Sequence, residues 1–170
     1  KLISKCSLFT NEMVGLAKAS AVFHGAEHTI PDLLRYFQGI RSEDAFRRMC
    51  VLDAIILNPD RHYGNFGVLF DTTTMEILRM APVFDNNKSL LPELDNDQLA
   101  TPGWYIARCR PRIGRDFIIT ARGLLTEEIR ADLERLRDFT FRQHPKIQAE
   151  QVRLDALSAI VRERIRQILT

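Results

Sequence analysis

The sequence predicts a mainly α-helical domain that carries one small antiparallel β-hairpin. Apolar residues recur at helical spacing over much of the chain before Asn58 and again after Thr126. Between these regions, the short apolar stretches Gly67–Phe70 and Met75–Leu78 flank the turn-forming sequence Asp-Thr-Thr-Thr. Since 170 residues suffice for one ordinary domain with a real core, we expect a single domain over residues 1–170.

Three helices are expected before the hairpin. The first spans Asn11–Phe23, with Asn11 as a suitable N-cap. The second begins at Pro31 and ends at Gly39, because proline is favoured in the first helical turn and glycine at the C-terminal end. Ser42 is a suitable N-cap for the third helix, which ends at Asn58, directly ahead of a proline.

The second half of the chain is also expected to be helical. Ala81–Phe84 is predicted to form a brief further strand, and Asn86–Arg115 is predicted to be mostly loop. Two amphipathic helices then close the chain, one beginning after Thr126 and the other following Pro145. Their alternating charges are typical of solvated helix faces.

Composition and charge exclude several classes of protein. Hydrophobic residues make up 45% and charged residues 27%, as in ordinary soluble domains. A net charge of +2 gives no support for direct binding of nucleic acid or an anionic membrane, and no apolar run reaches the roughly 18 residues of a membrane span. Cys6, Cys50 and Cys109 lack the spacing of zinc sites, which indicates a reducing compartment. The chain begins without Met or a secretory signal, which is compatible with a natural start further upstream.

A cluster of polar residues lies where the third helix gives way to the hairpin. The sequence Asp60-Arg-His-Tyr-Gly-Asn65 occupies this junction, and Asp85 follows the hairpin. Transfer of a γ-phosphoryl group requires a carboxylate that orients or deprotonates the acceptor hydroxyl, and hard oxygen ligands for Mg²⁺ at the phosphates. Asp60 suits the first task, while Asn65 and Asp85 suit the second. One Asp or Asn in a loop is usually a turn former, so the joint pattern carries this hypothesis of a kinase site.

Three neighbouring residues are expected to support the cluster. Asp53 lies on an otherwise apolar helix face, where a buried carboxylate needs partners, so we expect it to brace the loop. Arg61 either neutralises developing phosphate charge, braces the loop or is solvated. His62 either holds the loop by hydrogen bonding or lies near the phosphates, and we favour the first role because Asp60 already provides a base.

The segment 52–91, LDAIILNPDRHYGNFGVLFDTTTMEILRMAPVFDNNKSLL, resembles the catalytic core of the HipA-like Ser/Thr kinases, and the resemblance covers about residues 46–91. It implies the helical C-terminal lobe of a protein-kinase-like fold, with ATP and Mg²⁺ as cofactors. It further implies that Asp60 is the catalytic base and that Asn65 and Asp85 bind Mg²⁺, with His62 as the histidine of an Asp-x-His-x-x-Asn motif. Many of these bacterial enzymes are toxins, so the resemblance also implies a protein substrate, an antitoxin-like partner and a cytoplasmic location.

One part of a complete kinase has no counterpart in the sequence. Neither a Gly-rich phosphate-covering loop nor a strand lysine precedes Asp60, so an N-terminal lobe is expected to come from upstream or from another chain. Three interpretations follow: part of a longer HipA-like kinase, one half of a split kinase, or a non-catalytic binding module. A small-molecule phosphotransferase of the aminoglycoside-kinase type is a further alternative, although its loop more usually begins His-Gly-Asp.

Overall fold

The structure is a computed structural model and describes residues 8–23, 28–146 and 148–170. These residues fall into two compact units. The first contains the described chain up to Phe46 together with His62–Asp85, and the second contains Arg47–Arg61 together with Asn86–Thr170. Cys6 lies outside the described residues.

Most of the regular structure is helical, with one small antiparallel sheet, as the sequence predicts. The first unit contains β1 (Val14–Lys18), α1 (Ala19–Val22), α2 (Ile30–Gly39), β2 (Gly67–Asp71) and β3 (Ile77–Met80). Helix α3 (Glu43–Ile56) includes the boundary between the units. The second unit also contains α4 (Asn96–Ala100), α5 (Gly103–Ile106), α6 (Phe117–Leu124), α7 (Glu127–Arg135) and α8 (Gln151–Leu169).

The sheet of the first unit has the strand order β1-β2-β3, and both pairs are antiparallel. The register pairs Val14 with Asp71 and Lys18 with Gly67. The backbones approach so closely there that a Cβ atom on Gly67 would lie 2.2 Å from the carbonyl oxygen of Ala17. Only glycine fits this position without a backbone shift.

The expected helix over Asn11–Phe23 is wrong. The Asn11 side chain accepts hydrogen bonds from the backbone N–H groups of Met13 and Val14, both at 2.9 Å, and forms a turn that leads into β1. Residues 14–18 then pair with β2, more than 45 positions later in the chain. This distant partner overrides the local helical spacing, and only the four residues of α1 remain helical.

Helices α2 and α3 confirm the second and third expected helices. Thr29 and Asp32 form a capping box at the start of α2. Gly39 is its last helical residue, but the left-handed residue that ends the helix is Arg41, with φ +53°. The side chains of Phe37 in α2 and Phe46 in α3 are fully buried, and their rings stack at a centroid distance of 4.9 Å.

The hairpin forms, with its second strand at Ile77–Met80 instead of Met75–Leu78, but the further strand over Ala81–Phe84 does not. Asp71 holds the turn of the hairpin. Its carboxylate accepts hydrogen bonds from the N–H groups of Thr73 and Thr74, both at 2.8 Å. Beyond β3, the N–H of Ala81 still donates to Gly67 O at 2.9 Å. Pro82 follows and has no N–H to continue the ladder, so the strand ends.

The second unit contains both predicted C-terminal helices, α7 and α8. Thr126 caps α7 as expected, with its hydroxyl accepting from Ile129 N at 3.2 Å. The region predicted as loop, Asn86–Arg115, contains the short helices α4 and α5, and α6 was not expected at all. These helices are too short for a clear apolar period, and side-chain caps at Asp95 and Asp116 start α4 and α6.

Helix α8 contacts α4, α6 and α7, and its buried residues form much of this unit's core. Val161, Ile165 and Ile168 are each less than 5% exposed. In the described part of the chain, no helix has the length and apolar character that a membrane span requires.

Candidate phosphotransfer site

The loop that carries Asp60 begins with a sharp turn at the end of α3. Leu57 is fully buried and has φ +52°, a left-handed conformation that non-glycine residues seldom adopt. The N–H of Asn58 donates back to Asp53 O at 3.0 Å, which completes a helix-terminating motif usually built on glycine. The chain therefore reverses within two residues and enters the loop in a defined direction.

Three carbonyl oxygens around this turn accept hydrogen bonds from the rest of the second unit. Arg164 Nε donates to Ala54 O at 2.9 Å, and Leu90 N donates to Ile56 O at 2.7 Å. Cys109 Sγ lies 3.8 Å from Leu57 O. The Arg164 guanidinium also brings positive charge to the helix C-terminus, where the helix dipole favours it. The base of the loop is therefore held by α8 and by the chain beyond Asn86.

A buried ion pair lies directly behind the loop. Arg61 Nε donates to Asp53 Oδ2, and Arg61 Nη2 donates to Asp53 Oδ1, both at 2.9 Å. The side chains are only 2% and 7% exposed. Burial raises the pKa of the Asp53 carboxyl, while the hydrogen bonds and charge of Arg61 and the amide of Asn58 oppose that rise. Arg61 Nη2 also donates to the side-chain oxygen of Asn86, the residue after Asp85.

Asn58 connects this ion pair to Asp60. Its side-chain amide donates to Asp53 Oδ1 at 3.0 Å, and its side-chain oxygen accepts from the backbone N–H of Asp60 at 3.1 Å. Asn58 is fully buried and Asp60 is half-buried. The backbone of Asp60 is thus positioned by a chain of polar contacts that starts at Asp53.

His62 and Asn65 belong to the first unit and form a tight turn. His62 is exposed, its Nδ1 accepts from Gly64 N at 2.9 Å, and its backbone oxygen accepts from Asn65 N at 2.8 Å. A Cβ atom on Gly64 would lie 2.7 Å from the His62 ring. The geometry places the His62 ring over its own loop.

Aromatic side chains hold this half of the loop. The ring of Tyr63 lies 5.8 Å from Phe23 and 5.5 Å from Phe66, and Phe66 is 1% exposed. Two backbone hydrogen bonds of 2.8 Å join the same residues to the start of α1: Ala19 N donates to Phe66 O, and Ser20 N donates to Tyr63 O.

Asn65 and Asp85 lie at the same end of the hairpin. Asn65 precedes β2 and Asp85 follows β3, and the antiparallel pairing of Val68 with Met80 brings these two strand ends together. Asn65 is 6% exposed, whereas Asp85 is exposed and has φ +56°, a conformation that Asp tolerates better than most residues.

The donor set fits Mg²⁺ held together with a nucleotide. Among the described residues no group of three or more His, Cys, Asp or Glu side chains could hold a metal. Mg²⁺ at phosphates needs no such cage, because one or two protein oxygens suffice when phosphate and water oxygens complete the shell. An amide oxygen from Asn65 and a carboxylate from Asp85 are ligands of this kind.

Two residues of the polar network were not expected from the sequence. From the sequence alone, Asn58 indicates the end of a helix, and Asn86 indicates the start of a loop. The role of Asn58 has a weak sequence signal. An Asn side chain in a turn commonly accepts a hydrogen bond from the backbone N–H two residues later, as Asn58 does from Asp60. Asn86 carries none, because its contact with Arg61 depends on the tertiary structure.

Comparison with solved structures identifies a related fold. The chain is similar to a Helicobacter pylori proinflammatory kinase, CtkA, with 17% sequence identity and a TM-score of 0.59, over 95% of this chain and 70% of that chain. The fold is kinase-like. The mainly helical lobe expected from the sequence is therefore confirmed. Sequence comparison with protein families and with curated proteins finds no match.

Proposed function

We propose that this chain is the catalytic lobe of an ATP- and Mg²⁺-dependent HipA-like kinase that phosphorylates Ser or Thr on a protein. One observation carries the proposal: a chain with a kinase-like fold has Asp60 and Asn65 in the loop between α3 and β2, and Asp85 after β3. This order and spacing of a base and two oxygen ligands is the one found in protein-kinase catalytic loops.

Asp60 is the proposed catalytic base. Its carboxylate accepts a hydrogen bond from the acceptor hydroxyl and orients the oxygen toward the γ-phosphorus of ATP. It takes the proton as the new O–P bond forms and the bond from the γ-phosphorus to the leaving ADP breaks. The bond from Asn58 to the backbone of Asp60 limits the freedom of the loop, which lowers the entropic cost of this alignment.

Asn65 and Asp85 are the proposed Mg²⁺ ligands, with Asp85 as the principal one. The bound metal would neutralise charge on the phosphate oxygens. The backbone N–H of Asn65 donates to His62 O, and Asp85 has a left-handed backbone conformation with φ +56°. Both side chains offer oxygen donors, the type that Mg²⁺ prefers.

Asp53, Arg61 and His62 are proposed to position the loop. Arg61 Nε and Nη2 donate to Asp53 and Asn86 inside the second unit, which favours bracing over contact with phosphate. His62 bonds Gly64 within its own turn, which favours holding the loop over proton transfer.

A kinase also needs a lobe that binds the nucleotide. We propose that a nucleotide-binding N-terminal lobe, on the same or another polypeptide, completes the ATP site. We further propose that the enzyme acts as a bacterial toxin with an antitoxin-like partner in the cytoplasm. The free thiols of Cys50 and Cys109 support a reducing compartment.

Transfer of labelled γ-phosphate from ATP to a protein acceptor tests the proposal, with the chain alone and with the nucleotide-binding lobe added. Asp60→Asn should lower the rate by about 10²- to 10⁴-fold, because it removes the base. Asp85→Asn should lower it and raise the Mg²⁺ concentration required. Asp97→Asn, at an exposed carboxylate of α4, is the matched control and should leave the rate unchanged.

Full activity in both the Asp60 and Asp85 variants would refute the assignment. A biological effect of the chain that is unaltered by both changes would instead favour a non-catalytic binding module.

A further inference from the structure

An open groove of about 390 Å³ in the second unit begins at the loop that carries Asp60. Its volume is that of an ordinary ligand pocket. Its apolar and aromatic wall consists of Leu57, Pro59, Leu91, Leu94, Trp104 and Tyr105. Pro59 is the residue before Asp60, so their Cα atoms are about 3.8 Å apart. The groove therefore reaches the residue that directly precedes the proposed base.

Trp104 is the main exposed apolar feature of the groove. It is the one tryptophan in the sequence, and its side chain is 59% exposed in the short helix α5. The guanidinium of Arg108 stacks on its ring at 3.7 Å, and Arg108 Nη1 donates to Trp104 O at 3.4 Å. A large aromatic ring that is fixed in place and left open to solvent is suited to contact with a partner.

The charges around the groove are mostly positive. Lys88 forms an ion pair with Glu93 at 3.2 Å, so these two charges offset each other. Arg108 and Arg110 also line the groove, and each donates to a backbone carbonyl, on Trp104 and Cys109 respectively. Since carbonyls carry no net charge, the two arginines leave the groove with an excess positive charge that suits carboxylates.

We propose that this groove binds the segment of the protein substrate next to the phosphorylated Ser or Thr, and that it selects a large apolar side chain flanked by acidic residues. The apolar side chain packs on Trp104 and the leucines, and the carboxylates meet Arg108 and Arg110. The inference rests on the proposed function, because the adjacent Asp60 makes the occupant an acceptor segment. The Glu93 carboxylate and the leucine wall favour a peptide over a nucleic acid, whose phosphates need uniformly basic surroundings.

Trp104 provides the test, because it is the sequence's single tryptophan and reports on the groove directly. Its fluorescence would be titrated with a synthetic peptide containing Ser, Leu and flanking Glu residues, and with the same peptide carrying Lys in place of Glu. We expect a saturable change with the acidic peptide and at least about tenfold weaker binding of the basic one.

Charge reversals in the groove sharpen the test. Arg108→Glu and Arg110→Glu should each weaken binding of the acidic peptide by about tenfold, because an attraction becomes a repulsion. Arg142→Glu makes the same charge change at an exposed site outside the groove and should alter binding by less than about twofold. Circular dichroism would establish that all three variants are folded.

Equal binding of both peptides, or an equal effect of all three reversals, would overturn the proposal. Tighter binding of a single-stranded oligonucleotide, lost on Arg108→Glu, would also overturn it in favour of nucleic acid. Different results would refute the proposed kinase function and the proposed peptide-binding groove. Peptide binding without phosphate transfer when the nucleotide-binding lobe is added refutes the proposed function, whereas transfer that is insensitive to Arg108→Glu and Arg110→Glu refutes only the groove.

Discussion

The two halves of the candidate catalytic loop are held by opposite kinds of interaction. In the second unit, Asn58–Arg61 is held by a buried ion pair and side-chain amides. In the first unit, Tyr63–Phe66 is held by aromatic rings and by two backbone hydrogen bonds to α1. Each half is anchored within its own unit.

This difference indicates which half of the loop fixes the orientation of its side chains. An ion pair with two parallel hydrogen bonds fixes the orientation of its partners, and each buried charge becomes costly when the other is removed. Aromatic packing tolerates a change of side chain as long as volume is preserved. We therefore expect the half that carries Asp60 to be sensitive to single substitutions, and the aromatic half to be more tolerant.

The largest effect is expected for Arg61→Ala. It leaves the carboxyl of Asp53 buried without its main partner, at 5% exposure, and should lower the free energy of unfolding by about 3–5 kcal/mol. Urea denaturation followed by circular dichroism measures this loss.

A paired substitution provides the control for Arg61→Ala. Asp53→Leu combined with Arg61→Met removes both charges and should recover most of the lost stability. Phosphate transfer should stay low in the double variant, because Asn58, which bonds the backbone of Asp60, loses its own contact with Asp53. A loss below about 1 kcal/mol in Arg61→Ala would show that the ion pair does not anchor the loop.

The next largest effect is expected for Gly67→Ala, at the start of β2. The new methyl group would meet the Ala17 carbonyl oxygen at 2.2 Å, so the pairing of β1 with β2 must shift, at a cost of about 1–3 kcal/mol. Gly39→Ala is the matched control, because nothing lies within 4 Å of its Cβ position. Equal stability of the two variants in urea denaturation would contradict the close approach of the strands.

Phe66→Leu should have a smaller effect of about 1 kcal/mol, because volume is largely retained and only the ring contacts with Tyr63 and Phe37 are lost. Phosphate transfer should change by less than about threefold, since the carboxylates and their bonds are untouched. If Phe66→Leu lost as much phosphate transfer as Arg61→Ala, the two halves of the loop would not differ in their sensitivity to substitution.

The smallest effect concerns Asp71 in the hairpin turn. Hydrogen bonds from the N–H groups of Thr74 and Thr73 lower the pKa of the Asp71 carboxyl below its usual 3.8. The ionised Asp71 carboxylate therefore contributes its full stabilisation above the unfolded-state pKa of 3.8. This stabilisation is lost as the pH falls through the lowered pKa of the folded state. In acid titrations, the stability difference between the wild type and Asp71→Asn should shrink below about pH 4. A difference that stays constant would contradict this linkage.

Local patterns predicted much of the fold and supplied the site hypothesis. The spacing of apolar residues and caps such as Thr126 predict the hairpin and the helices α2, α3, α7 and α8. These signals act within a few residues, so they can be recognised in the sequence. The motif from Asp60 to Asn65 was likewise visible, because its spacing is a property of the chain. Its proposed roles still await the phosphate-transfer assay.

Local sequence signals thus account for the helical class, the hairpin and the choice of candidate site residues. Three other features follow from long-range contacts: Val14–Lys18 forms a strand, Asn58 and Asn86 join the network of Arg61, and Trp104 remains exposed in a groove beside Pro59. The physical reason is the same in each case. These features depend on contacts between segments far apart in the chain, and local propensity is too weak to oppose or to foretell them.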